Sequence, residues 1–142
     1  MKYEYNDGGR AAAGYKGVTG DCGVRAVAIA TGLPYQQVYD ALNEVCANKR
    51  GKPFKRGVSN ARTGIHGPIM RRYMASLGWK FVPTMGIGTG CKVHLRDGEL
   101  PMGRILCNVS RHFIAVVDGV IQDIYDPSRN GTRCVYGYYI AA

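Results

Sequence analysis

Apolar residues recur at helical spacing in the first half of the chain and in short strand-like runs in the second. Val24, Val27, Ala28 and Thr31 share one face of a helix predicted from about Cys22 to Thr31, and Gly32 is placed to end it. Pro34 suits the first position of a second helix, whose inner side carries Tyr35, Val38, Tyr39, Leu42 and Val45. Pro68 opens a third, with Ile69–Tyr73 and Met70–Met74 as i,i+4 pairs, Leu77 closing the stripe and Gly78 stopping it. Arg71 and Arg72 fall on its solvent face. From Trp79 the runs become KFVPT (80–84), RILCNV (104–109), HFIAVV (112–117), VIQDIY (120–125) and CVYGYYI (134–140). Asp118-Gly119 is a strong two-residue hairpin signal. Helices followed by an antiparallel sheet make the class α+β. Residues 1–18 read as a loose, flexible arm before a single domain over 19–142.

Composition changes this picture little. A chain of 142 residues, 46% hydrophobic and 20% charged, is ordinary for one globular domain with its own core. No apolar run is long enough for a signal peptide or a membrane span, so the cytoplasm is the expected location and no membrane partner is expected. Cys22, Cys46, Cys91, Cys107 and Cys134 are widely spread with no C-x-x-C pair, which predicts thiols rather than a disulfide framework. Cys91 and His94 stand at ligand spacing, but no second pair follows, so no metal is expected. GIGTG (86–90) lacks the lysine of a phosphate-binding loop, and no cofactor is expected.

Charge adds one feature. The formal net charge is +9, and Lys49, Arg50, Lys52, Lys55, Arg56 and Arg62 crowd into NKRGKPFKRGVSNAR (48–62). A solvated basic loop is the plain reading; contact with nucleic acid or an acidic partner is the functional one. No fingerprint of a nucleic-acid-binding module accompanies it.

The chemistry centres on TGDCGVRAVAIATG (19–32). A nucleophilic cysteine needs a lowered pKa, a nearby base and donors for a developing oxyanion. Cys22 at a helix start has the dipole and unpaired N–H groups that supply part of this, and Gly23 leaves room for a substrate backbone. Asp21 either opposes the thiolate or caps the helix. Burial as core filler is the competing role for Cys22, since Cys is among the most buried residue types. His112 begins a strand, where its side chain stands at the end of the sheet. With a two-residue Asp118-Gly119 loop, His112 lies opposite Tyr125, and Asp123 shares its face within diagonal reach. Such a carboxylate can hold an imidazole in one tautomer and stabilise its protonated form. A three-residue loop would bring Asp126 opposite His112 instead; Asp123 is preferred.

DCGVRAVAIATGLPYQQVYDAL and HFIAVVDGVIQDIYDPS together resemble the small papain-like cysteine peptidases common in phages and bacteria. Those proteins carry an Asp-Cys-x-x-Arg-Ala helix start and a late His-strand-Asp-Gly-strand-Asp hairpin. The resemblance runs from about Thr19 to Ile140 and is weakest in the basic loop and residues 85–100. It implies a papain-like fold, with Cys22 as nucleophile, His112 as base and Asp123 as orienting acid, acting on a peptide or isopeptide bond. One departure stands out: papain relatives usually carry Gln six residues before the cysteine, and here that residue is Lys16. Lys16, Thr19 or backbone N–H groups alone would then complete the oxyanion hole. Arg25 is placed to pair with Asp21 at i,i+4, or alternatively to meet a substrate carboxylate. The rival to a hydrolase is a non-catalytic papain-like module that binds an acidic partner or nucleic acid through residues 49–62.

Overall fold

A computed structural model of the chain describes residues 1–17, 20–47, 60–62 and 64–142. Thr19 and the basic residues Lys49, Arg50, Lys52, Lys55 and Arg56 lie outside the described residues.

The order of elements is β1 (Lys2–Tyr5), α1 (Cys22–Thr31), α2 (Tyr35–Ala47), α3 (Gly67–Ser76), β2 (Trp79–Pro83), β3 (Arg104–Val109), β4 (His112–Val117), β5 (Val120–Asp123) and β6 (Gly137–Ala141). The fold is thus α+β. Helix α1 ends where predicted, with Gly32 in the left-handed region at φ 77° and its N–H on the Ala28 carbonyl. Its buried residues, however, surround it rather than forming one stripe: Gly23, Val24, Arg25, Ala26, Val27, Ala28 and Ala30. The small side chains let neighbours close in on every side, and a Cβ on Gly23 would sit 3.1 Å from the Met70 methyl of α3.

The six strands form one mixed sheet in the order β1-β5-β4-β3-β6-β2. β3, β4 and β5 follow one another as antiparallel neighbours, with Val109 opposite His112 and Val117 opposite Val120. Asp118 (φ 49°) and Gly119 (φ 78°) both occupy positive φ, as the tightest hairpin turn requires. Both faces of the sheet are covered. Leu106, Phe113, Ala115 and Tyr139 pack with the helices. Their alternating neighbours Ile105, Cys107, Ile114 and Val116 face a second cluster with Ile121, Leu95 and Val135.

Three expectations need correction. The N-terminal arm is not loose at its start: β1 runs parallel to β5, Tyr3 beside Ile121 and Tyr5 beside Asp123, which makes the sheet mixed rather than antiparallel. All four β1 side chains are exposed, so no apolar alternation marks the strand and backbone pairing holds it. The last two strands are also shorter than predicted. β5 stops at Asp123, whose own Oδ1 accepts the Ile124 N–H at 2.7 Å and turns the chain. β6 begins only at Gly137, because Cys134 is drawn to Cys91.

That pairing is the third correction: Cys91 and Cys134 form a disulfide, with Cα atoms 5.9 Å apart. Spacing along the chain could not announce it, because the two residues come from irregular segments that meet only in the fold. The bond also removes Cys91 as a metal ligand, and His94 Nδ1 lies 3.1 Å from Glu99 Oε1. Among the described residues, no helix is long and apolar enough to cross a membrane.

Candidate active site

Cys22 is the first residue of α1 and is half-buried, while His112, the first residue of β4, and Asp123, the last of β5, are buried. Adjacent antiparallel strands joined by the tight Asp118-Gly119 turn fix the last two against each other. The result is a bond of 2.7 Å between His112 Nε2 and Asp123 Oδ2. With Nε2 so engaged, Nδ1 is the ring nitrogen left to face the Cys22 thiol, whose main electrostatic partner is the His112 side chain. The structure therefore brings Cys22, His112 and Asp123 into one line, with the His112–Asp123 link hydrogen-bonded. Asp126 is left out of it: its Oδ1 accepts the Ser128 N–H at 2.9 Å in a local turn.

The electrostatics favour charge separation along that line. Burial pushes the Cys22 thiol up, but the hydrogen bond and charge of His112, the Phe113 N–H and the Arg25 charge outweigh it and hold the thiol below its ordinary value. Burial alone would lower His112. Its bonds to Asp123 and Cys22, and their negative charges, instead raise it to about 9. A lowered thiol beside a raised imidazole favours transfer of the thiol proton to the ring. Tyr125, two residues past Asp123, lays its ring against His112 with centroids 5.5 Å apart and shields one side of the pair.

Asp21 does not cap α1, and its charge does not stand unanswered beside the sulfur. It is 1% exposed. Its Oδ1 accepts from Arg25 Nη1 at 2.6 Å, and its Oδ2 from the Tyr35 hydroxyl at 2.6 Å, with Arg10 Nε 3.0 Å away. Arg25 also reaches toward the other carboxylate, with Nη2 3.8 Å from Asp123 Oδ1. One buried guanidinium thus ties the residue before the nucleophile to the acid behind the base. The i,i+4 spacing foretold the Arg25–Asp21 pair. Arg10 and Tyr35 were missed as its partners: one sits in the supposed arm, and the other was counted only as an apolar contact.

Because Asp21 spends its side chain elsewhere, the backbone N–H groups of the first turn of α1 are left uncapped by it. They lie at the helix end that carries Cys22, as candidate donors to an oxyanion. Lys16, weighed as an oxyanion donor, is exposed and lines a separate crevice with Tyr15 and Tyr39. Among the described residues, no group of three or more His, Cys, Asp or Glu could hold a metal ion. In comparisons with known proteins, the chain matches no family model, no curated sequence and no solved structure.

Proposed function

We propose that this protein is a papain-like cysteine hydrolase that cleaves a peptide or isopeptide bond through a thioester. The observation that carries the reading is the buried line from the thiol at the start of α1, through His112, to Asp123. The order of parts, a nucleophile on an early helix followed by a base and an acid on adjacent late strands, also suits a papain-like fold.

In this mechanism the Cys22 thiolate attacks the substrate carbonyl carbon, and the carbonyl oxygen becomes an oxyanion. N–H groups of the first turn of α1, including that of Cys22, stabilise it. His112, protonated in the resting pair, gives its Nδ1 proton to the leaving amine as the C–N bond breaks, which leaves a thioester on Cys22. Neutral His112 then takes a proton from water, and the hydroxide releases the acid and regenerates the thiol. Asp123 keeps Nε2–H bound throughout and stabilises the imidazolium without accepting its proton.

Limiting iodoacetamide tests the reading. Cys22 should be alkylated roughly tenfold or more faster than Cys46 and Cys107, as suits a thiolate at a helix start. Its rate should hold well below the pH at which an ordinary thiol ionises, and His112→Ala should abolish the advantage. Equal rates at these cysteines, or no effect of His112→Ala, would overturn it.

A further inference from the structure

Asp21 separates the nucleophile from a second feature. The groups on its Oδ2, Tyr35 and Arg10, line a crevice of about 20 Å³ completed by Tyr15, Lys16, Tyr39 and Arg62. The three tyrosine rings lean on one another with centroids 4.8 to 6.0 Å apart and form an aromatic wall. Arg10 is committed, with Nε near Asp21 and Nη2 on the Lys16 carbonyl at 3.0 Å. Lys16 and Arg62 are not. Both are exposed, and neither has an ion-pair partner among the described residues. Arg25 already answers the Asp21 charge at 2.6 Å, so the crevice keeps a positive rim.

We infer that this crevice is a specificity subsite for a carboxylate side chain, Asp or Glu, in the peptide substrate. The inference rests on the cysteine-hydrolase reading of Cys22. Three features favour it. The crevice has room for about one water-sized group, which suits the tip of a side chain rather than a ring. Its rim offers two uncommitted cations, Lys16 and Arg62, beside the tyrosine wall, where a carboxylate gains charge-assisted hydrogen bonds. An extended peptide advances about 3.3 Å per residue, and the Tyr35 and Arg10 that line the crevice bind Asp21, the residue before Cys22.

Acetyl-tetrapeptide acyloxymethyl ketones test this, with Glu or Gln placed in turn at each position before the reactive carbonyl. Labelling of Cys22 is followed by intact-protein mass spectrometry. At one position the Glu probe should react about tenfold faster than its Gln twin, the factor given by about 1.4 kcal/mol. The ratio should fall toward unity in the Lys16→Ala/Arg62→Ala variant and at high salt. A ratio near unity at every position, or one that survives the double substitution, overturns the subsite. Iodoacetamide labelling of the unaltered chain reads the nucleophile separately. If that fails, binding of the free acetyl-Glu and acetyl-Gln peptides to the Cys22→Ala chain still decides: preferential shifts of the Tyr15 and Tyr39 ring resonances by the Glu peptide support the crevice, and their absence removes it.

Discussion

Replacing Asp123 by Asn keeps the shape of the side chain but removes a negative charge from 2.7 Å of His112 Nε2. His112 stands at about 9 against an ordinary 6.5, which favours the imidazolium by about 3 kcal/mol. Burial works against that rise, so Asp123 and Cys22 together supply all of it, with the Asp123 bond foremost. Unit charges about 4 Å apart at an effective dielectric constant of about 20 attract by about 4 kcal/mol, which is the size required. Asp123→Asn should therefore bring His112 down by about one to two units while Cys22 supplies the remainder. The Cys22 thiol should rise in turn, because its counter-charge is weakened. The assay is an NMR titration of the His112 Cε1–Hε1 resonance from about pH 5 to about pH 10. A His112 midpoint that stays near 9 in the variant would refute the assignment of Asp123 as the group that holds the imidazolium. So would a midpoint already near 6.5 in the unaltered chain.

Other measurements probe the rest of the molecule. Hydrolysis should rise with pH as Cys22 ionises and fall again near pH 9 as His112 loses its proton, whereas alkylation of Cys22 should show no such fall. Arg25→Met takes one cationic partner from each of two buried carboxylates and should destabilise the fold by about 3 kcal/mol in urea unfolding, with part recovered in the Asp21→Asn/Arg25→Met pair. Gly137→Ala would drive a Cβ into the Phe81 ring and the Val82 carbonyl where β6 passes β2, at about 1–3 kcal/mol in the same assay. Cys134→Ser opens a closure of 43 residues and should lower stability by up to about 4 kcal/mol. Alkylation of the intact chain with and without reductant should differ by two thiols.

How much of this was legible depended on whether the determinant was local. Asp118-Gly119 admits only a tight turn, so one dipeptide set the pairing of β4 with β5 and hence the meeting of His112 with Asp123. Gly32 likewise marked the end of α1 through its own φ. β1 was invisible because its side chains are all exposed and its parallel partner stands more than a hundred residues away. The Cys91–Cys134 bond and the Arg10 and Tyr35 contacts to Asp21 are likewise products of the fold, with no periodicity to betray them. Lys16 was readable as a departure from the papain pattern, but not as part of a crevice wall.

The strand order has a consequence for when the site comes into being. β6, the last strand in the chain, lies between β3 and β2, and β1, the first, closes the far edge against β5. A chain emerging from the ribosome presents Cys22 long before His112 or Asp123 exists. The non-local pairings that close the sheet are slow to form compared with helices. The nascent thiol therefore has the reactivity of any unfolded cysteine. On the proposed reading, Cys22 gains its partners only once α1 has packed against the paired β4 and β5.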